Sequence, residues 1–427
     1  MTVVEQMLVN IELPKMIKVR QIFKDEHIVA VESTLRAKLR TSPIRNSIKP
    51  RMKIAIGVGS RGLTDLPTVV KAVVSELIQF GAEPFIVPAM GSHGGATAIG
   101  QAELLAALGV TEETAGCPIR SSMDTVDLGT LPNGLHVFMD KLAMQADGIV
   151  VINRIKPHTS FSGPIESGLV KMITIGLGKH RGAEACHSFG FGAMATNILD
   201  MAKLKLNAAP FLFGVGTIEN SYDKICRIEI LPASEILSRE VEMLEEAKSL
   251  MPRIRFNPAD VLIVDCMGKE FSGTGMDPNI TGRAQTPYVK TNYSATRMVV
   301  LELSEKSRGN STGVGLADVC TRRLFNSIDL ESTYVNHLTS TVLGGAKIPM
   351  IMETDKLAVQ AAIRTCNAAD PNNLRIVRIP NTLQLETIMI SEALRNDAIG
   401  QKDIEIIEDV ADWQFDGHGH LKAFGVQ

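Results

Sequence analysis

The sequence of 427 residues has few aromatic residues, little net charge and no long apolar segment. Aromatic residues make up 4% of the chain, so few side chains are available to stack on nucleic-acid bases. The formal net charge of −3 gives no net attraction to nucleic acid or to an acidic membrane surface. No stretch reaches the roughly 20 apolar residues that a membrane-spanning helix requires. We therefore expect no nucleic-acid partner and no membrane partner.

The six cysteines are scattered along the chain without a Cys-x-x-Cys pair. This distribution is typical of reduced, mostly buried thiols rather than of disulfides. The first residues, MTVVEQMLVNIELPK, lack the basic segment followed by an apolar run that a secretory signal would require. Both features predict a cytoplasmic protein.

The length and the composition predict a globular protein with more than one core. Hydrophobic residues make up 45% of the chain and charged residues 21%, which is typical of a folded protein. A chain of this length exceeds what one core usually holds. Strand-like and helix-like segments alternate, which favours mainly parallel sheets with crossover helices. We therefore predict two α/β domains, at 1–255 and 256–427, with a cleft between them.

Particular segments carry this pattern. In the first domain the predicted strands are 53–59, 83–90, 147–153 and 210–216, and the predicted helices are 66–81, 97–109 and 234–252. In the second domain the pattern begins at 259–270 and continues at 347–354, 356–366 and 374–380.

The glycine-rich segment from His158 to His187 is the strongest candidate for a site. It places two histidines around Lys171 and follows a predicted apolar strand. Open α/β sheets bind ligands at the carboxyl ends of their strands, and a lysine among apolar neighbours can lose its charge and become a nucleophile. Two earlier strand ends add Arg61, in GVGSRG, and His93, in AMGSHGG. These residue types indicate an anionic substrate, proton transfer and a covalent or metal-bound cofactor.

The segment GVGSRG also matches a dinucleotide-binding pattern. Gly57, Gly59 and Gly62 follow a predicted strand and precede a predicted helix, as in GxGxxG. However, the next strand, EPFIVPAM, does not end in the acid that would hold the ribose. The guanidinium of Arg61 suits a carboxylate, which it can grip with two hydrogen bonds. An NAD-dependent oxidoreductase that uses this loop is therefore an alternative rather than the main prediction.

Six residues with strand-end contexts occur in the order Arg61, His93, His158, Lys171, His187 and Lys269. This order resembles the lactate racemase family, and the resemblance covers most of the chain. It implies a nickel-pincer nucleotide, which is a pyridinium-3,5-bisthiocarboxylic acid mononucleotide with nickel, attached covalently through Lys171. It also implies that His187 completes the coordination of nickel. His187 is favoured over His180 for this role because of its spacing from Lys171.

The resemblance implies that a 2-hydroxy acid is inverted by reversible hydride transfer. The carbon-bound proton is weakly acidic, so a hydride acceptor avoids a carbanion beside a carboxylate. His93 and His158 would exchange protons with the substrate hydroxyl, one for each hand of the substrate. Arg61 would hold the carboxylate, and Lys269 would add charge when the domains close. The resemblance further implies a dependence on the proteins that synthesise the cofactor.

Each of these residues also has a structural interpretation. His93 could occupy a tight turn, His158 could cap a strand, and Lys171 could extend its amine to the surface along apolar neighbours. Arg61 could pair with Asp65 in the next helical turn.

The sequence departs from the family near Arg61. The lactate enzymes have an Asp-x-Thr-Arg-Pro run there, whereas this chain has VGSRG without the aspartate. The segment between His158 and Lys171 is also longer than expected. Such changes alter the lining of a pocket more than its reacting groups. We therefore expect the same chemistry on a substrate larger or more polar than lactate, given Ser160, Ser162, Glu166 and the FSGTGMDPN loop.

The sequence thus predicts a racemase or epimerase of a small 2-hydroxy acid. Two other functions remain alternatives: the NAD-dependent oxidoreductase, and a protein that binds metal or cofactor without turnover. The sequence leaves open whether the chain forms a homo-oligomer.

Overall fold

The computed structural model describes residues 2–60, 63–370, 373–422 and 424, so Arg61 lies outside the described residues. The chain divides into two compact units. The central unit is Lys24–Met251, and the terminal unit combines Met1–Phe23 with Pro252–Gln427. The predicted boundary near residue 255 is close to the second junction, but the segment up to Phe23 belongs with the terminal unit rather than with the first predicted domain.

Strands and helices alternate along much of the described chain. The strands are β1 (Met16–Gln21), β2 (Lys53–Val58), β3 (Glu83–Pro88), β4 (Thr125–Thr130), β5 (His136–Asp140), β6 (Gly148–Arg154), β7 (Phe211–Glu219), β8 (Ile225–Pro232), β9 (Ala259–Met267), β10 (Ala295–Leu303), β11 (Val319–Thr321), β12 (Met350–Met352), β13 (Ile376–Ile379), β14 (Thr387–Ser391) and β15 (Ile404–Ala411). The α-helices are α1 (Val3–Leu8), α2 (Val31–Thr41), α3 (Leu66–Gln79), α4 (Ala98–Ala107), α5 (Glu112–Ala115), α6 (Lys141–Met144), α7 (Leu169–Lys171), α8 (Lys179–His187), α9 (Met194–Ala208), α10 (Ile236–Leu250), α11 (Pro278–Thr281), α12 (Arg322–Asn326), α13 (Leu330–Ser340), α14 (Asp355–Thr365) and α15 (Arg395–Ile399). A π-helical segment, Met172–Gly176, continues α7. Short 3-10 helices are Pro43–Ser47, Gly94–Ala96, Ala233–Glu235, Glu305–Ser307, Val314–Leu316, Gly344–Ala346 and Glu392–Leu394.

The central unit is built around a five-stranded sheet in the order β3-β2-β6-β7-β8. The first four strands are parallel, and β8 is antiparallel to β7. Strands β2, β3 and β6 are mostly buried and apolar, as is typical of parallel strands covered on both faces. Because β3, β2 and β6 run in the same direction, their carboxyl ends meet at one edge, where open α/β sheets bind ligands. The predicted α/β class is confirmed.

Helix α3 packs in the core of the central unit through an apolar face. Val73 and Leu77 lie four residues apart on this face, and both are buried. Pro67 lies in the first turn, where its missing N–H removes no helical hydrogen bond. Gly81 follows the helix with a φ of +89°, a backbone conformation that favours glycine. The helix predicted at 66–81 is confirmed, with its end two residues earlier.

The terminal unit contains an eight-stranded mixed sheet in the order β12-β11-β10-β9-β13-β14-β1-β15. Neighbours from β12 to β13 are parallel, and neighbours from β13 to β15 are antiparallel. Strand β1 pairs with both β14 and β15, and Leu8 and Met16 belong to the same buried core as Val261 and Val299. This pairing explains why the start of the chain belongs to this unit. Among the described helices of both units, none is long and apolar enough to cross a bilayer.

Candidate functional site

The candidate site lies at the carboxyl edge of the central sheet. The loops after β2, β3 and β6 carry Ser60, His93 and His158, respectively. Adjacent strands in a sheet are about 4.8 Å apart, so β3 and β6, on either side of β2, are about 10 Å apart. Arg61 directly follows Ser60, and its role stays a prediction because it lies outside the described residues.

His93 lies in a glycine turn after β3, and its imidazole is exposed. Gly91 and Gly94 on either side have φ values of +60° and +66°, which few other residues adopt without strain. The buried side chain of Gln101 donates to the carbonyls of Gly91 and His93, at 2.9 and 3.2 Å, and these hydrogen bonds stabilise the turn. His93 Nδ1 is hydrogen-bonded to Ser60 Oγ, which orients the ring. The glycine turn therefore shapes the backbone and also leaves the His93 imidazole exposed.

His158 and Lys171 are in direct contact. The distance between Lys171 Nζ and His158 Nε2 is 2.7 Å. The His158 ring packs on Phe161, with 4.5 Å between ring centroids, and its backbone N–H donates to the carboxylate of Glu166 at 2.8 Å. Glu166 is buried and also accepts the N–H of Gly163, so it holds this loop rather than facing a ligand. Glu166 therefore gives no support to the prediction of a larger or more polar substrate.

The hydrogen bonds of the His158 ring indicate the charge state of the lysine. The backbone N–H of Ser160 donates to His158 Nδ1 at 3.0 Å, so Nδ1 carries a lone pair. A neutral imidazole then has its proton on Nε2. That proton must be donated to Lys171 Nζ, which requires a lone pair on the nitrogen. The pattern favours an uncharged Lys171 amine, which is the nucleophilic form.

His187, the last residue of α8, presents a buried nitrogen. Its Nδ1 has no hydrogen-bond partner among the described residues, and its ring meets Phe191 edge-on at 5.5 Å. Burial lowers the pKa of His187 to about 4, with a smaller contribution from Lys171 when that amine is charged. A neutral imidazole with an unused nitrogen is the form that binds a transition metal. His180, by contrast, is 49% exposed and lies 4.0 Å from Glu184 on the surface.

Backbone contacts join the His93 turn to the Lys171 segment. Gly91 donates its N–H to the carbonyl of Gly176, at the end of the π-helical segment, at 3.1 Å. At the end of β2, a Cβ on Gly59 would lie 2.7 Å from Cε of Met172, the neighbour of Lys171. The structure thus brings His93, His158, Lys171 and His187 into one region of the central unit.

The same contacts bear on the dinucleotide alternative. The close approach at Gly59 is to the side chain of Met172, so this glycine already has a packing role. Helix α3 begins at Leu66, beyond the last glycine of the GxGxxG pattern. In the dinucleotide fold that glycine packs at the start of the helix. These observations give the NAD alternative no support.

Lys269 lies in the terminal unit, in the loop after β9. Its Nζ donates to the carbonyl of Gly273 at 2.9 Å and to Asn336 Oδ1 at 2.7 Å, and its backbone N–H donates to Ser307 Oγ at 2.9 Å. These bonds tie the glycine-rich loop to helix α13. A catalytic role for Lys269 stays a prediction.

Within the described ranges, no group of three or more His, Cys, Asp or Glu side chains is placed to hold a metal ion.

Comparisons with known proteins give one family-model match and matches to solved structures. Residues 3–197 match the family model described as the lactate racemase N-terminal domain. The solved lactate racemase apoprotein from Thermoanaerobacterium thermosaccharolyticum is 14% identical, with a TM-score of 0.54 over 86% of this chain and 98% of that chain. A Thermotoga maritima protein of known structure is 14% identical, with a TM-score of 0.47 over 64% of this chain and 69% of that chain. No curated protein sequence matches significantly. The likeness to the apoprotein shows a shared fold.

Proposed function

We propose that this chain, which is lactate racemase-like and carries that family's N-terminal domain at residues 3–197, is a racemase or epimerase of a 2-hydroxy acid. The proposal includes a nickel-pincer nucleotide held by Lys171 and His187. The observation that carries it is the 2.7 Å contact between Lys171 Nζ and His158 Nε2, at the carboxyl edge of the central sheet.

The residues present fit this cofactor. The hydrogen bonds of His158 favour a Lys171 amine with a lone pair, which would be needed to form a thioamide with a thiocarboxylic acid, with loss of water. His187 offers a buried neutral nitrogen without a partner among the described residues, which suits nickel. When bound, the cofactor would supply a hydride acceptor beside the substrate carbon.

The two histidines differ in how easily they exchange protons. Ser60 bonds to Nδ1 of His93 through a hydroxyl, which can donate or accept, so His93 can gain or lose a proton at Nε2 and keep this partner. His158 Nδ1 accepts from the backbone N–H of Ser160, which can only donate.

His158 therefore needs a change of tautomer before it can act as a base at Nε2. Its proton must move to Nδ1, and the Ser160 N–H must turn away. Attachment of the cofactor would support this change, because an acylated Lys171 would no longer have the lone pair to which Nε2–H donates. In this proposal Lys171 holds His158 in one tautomer until the cofactor is attached.

The substrate in this proposal is an anion with a hydroxyl beside its carboxylate. Arg61 holds the carboxylate, and Lys269 adds positive charge. Ser160 and Ser162, in the loop between His158 and Lys171, favour a substrate more polar than lactate.

The test is inversion of single enantiomers from a panel of 2-hydroxy acids, in deuterated water, by protein produced in a host that makes the nucleotide. We expect chiral chromatography to show racemisation or epimerisation with the carbon-bound hydrogen largely retained, because hydride transfer does not exchange it with solvent. Lys171→Ala should abolish turnover, whereas Lys203→Ala, which removes an exposed lysine, should not. Full deuterium incorporation would favour proton abstraction, and turnover that survives Lys171→Ala would contradict the proposal.

A further inference from the structure

Two fully buried ionisable residues of the central unit contact the backbone around Lys171. Glu240 lies on α10 and is 1% exposed, and Lys205 lies on α9 and is 0% exposed. The proposed chemistry uses neither of them. Burying an ionisable side chain carries a desolvation cost that apolar packing would avoid, so the contacts of these two residues call for an explanation.

Glu240 holds the start of the Lys171 segment. Its Oε2 accepts the backbone N–H of Val170 at 2.9 Å. This is a first-turn N–H group of α7, which has no acceptor within the helix. A Cβ on Gly168 would overlap the Glu240 carboxylate, so a glycine there permits this approach. The backbone carbonyl of Gly168 also accepts a hydrogen bond, from the side chain of Asn153 at 2.8 Å.

Lys205 holds the other end of the same segment. In the π-helical turn, Leu177 donates its N–H to Met172 rather than to Ile173, and Gly178 donates to Ile175 rather than to Thr174. The carbonyls of Ile173 and Thr174 therefore lose their α-helical donors. Lys205 Nζ donates to both carbonyls, at 3.0 and 2.7 Å.

These contacts have a geometric consequence for Lys171. A π-helical turn contains one residue more than the α-helical register, and each residue of an α-helix turns the chain by about 100°. If the two carbonyls regained their α-helical donors, the residues on one side of the turn would rotate relative to the other side. Lys205 favours the π-helical register by bonding to the carbonyls that this register leaves without donors.

We infer that Glu240 and Lys205 are positioning residues that hold the Leu169–Gly176 segment at both ends, so that the Lys171 amine stays against His158. The inference rests on the proposed role of Lys171 as the attachment point. Both residues act through the backbone of this segment, not on the reacting atoms.

The test uses protein without cofactor, so it does not depend on turnover. Lys205→Met and Glu240→Met remove the donor and the acceptor at similar side-chain length. Lys203→Met, at 61% side-chain exposure on α9, and Glu242→Met, at 64% on α10, are matched controls. Glu240→Gln keeps an acceptor for the backbone N–H of Val170.

One readout is competitive acetylation of Lys171 relative to Lys71, an exposed lysine on α3, across pH, measured by peptide mass spectrometry. In the wild type we expect labelling of Lys171 to begin at lower pH than that of Lys71. In the two buried methionine variants, the relative rate near neutral pH should fall by about tenfold, which corresponds to about one pH unit. Hydrogen exchange within 168–178 should become about tenfold faster. The controls and Glu240→Gln should match the wild type.

Wild-type labelling and exchange in folded Lys205→Met and Glu240→Met would overturn the inference. If a methionine variant does not fold, Lys205→Arg and Glu240→Gln decide, because each keeps the hydrogen-bonding role. If either conservative variant folds but its relative acetylation of Lys171 changes tenfold, the positioning role is contradicted.

The two proposals fail separately. Altered labelling together with no cofactor adduct on Lys171 in any host would refute the proposed function alone. Full adduct formation with wild-type labelling in both buried variants would refute the positioning role alone.

Discussion

Replacement of Lys179 by methionine is expected to destabilise the central unit and to loosen the helix that carries His187. Lys179 and Asp140 are both fully buried, with 3.0 Å between Nζ and Oδ2. Lys179 Nζ also donates to the carbonyl of Pro88, at the end of β3, at 2.6 Å. Because Lys179 is the first residue of α8, its side chain ties the strand before the His93 turn to that helix.

The size of the effect follows from the burial of the pair. Methionine keeps the length of the side chain but leaves the Asp140 carboxylate without its cation. Breaking a buried ion pair from one side costs about 3–5 kcal/mol. A unit of this size loses about 2–4 °C in Tm per kcal/mol, so Tm should fall by about 6–20 °C. Lys179→Met combined with Asp140→Asn should recover much of the loss, because no charge is then left unpaired.

Calorimetry and urea unfolding followed by far-UV circular dichroism would measure these changes. The control is Lys203→Met, which removes a surface ion pair with Asp200 and should cost about 1 kcal/mol or less. The reasoning is refuted if Lys179→Met is as mild as this control. It is also refuted if adding Asp140→Asn makes Lys179→Met less stable.

Three further predictions concern the surroundings of the site. Burial raises the pKa of Glu240 to about 8, so its contribution to stability is present at acidic pH and is lost as the pH rises through about 8. Between pH values of about 5 and 8, Glu240 should therefore lower the free energy of unfolding by at most about 1.4 kcal/mol per pH unit, and Glu240→Gln should remove this decline. Urea unfolding that gives the same pH dependence for both proteins would contradict this prediction. Selective acetylation of Lys171 should move the ring proton of His158 from Nε2 to Nδ1, which nitrogen-15 chemical shifts report; an unchanged tautomer would count against the proposed switch. Gly59→Ala should cost about 1 kcal/mol or less, because its Cβ would meet only Cε at the flexible end of Met172, which can shift; a loss of about 3 kcal/mol or more in the urea-unfolding free energy would contradict this.

The strands of the central sheet could be predicted because their signal is local. Parallel strands covered on both faces appear as continuous apolar runs. The predictions at 53–59 and 83–90 correspond to Lys53–Val58 and Glu83–Pro88. The assignment of β1 to the terminal unit could not be predicted, because its partners β14 and β15 lie at the far end of the chain. A short strand does not indicate its partner.

The candidate site was predictable in its residue types but not in its supports. His158 and Lys171 stood out because they flank glycines after an apolar strand. Glu240 lies on the buried stripe of its helix with Met243, and Lys205 lies on the buried stripe of its helix with Met201. A charged residue on an apolar stripe predicts a buried partner. Its identity could not be predicted, because here the partners are backbone groups, two of them left without α-helical donors by a π-helical turn.

The most direct test of the account is the intact mass of the protein from a host that makes the nucleotide. We predict a mass increase that maps to the peptide containing Lys171, disappears in Lys171→Ala and persists in Lys203→Ala. We also predict that His187→Ala keeps the covalent adduct but retains less nickel. An unmodified wild-type protein, or an adduct that survives Lys171→Ala, would contradict the central claim.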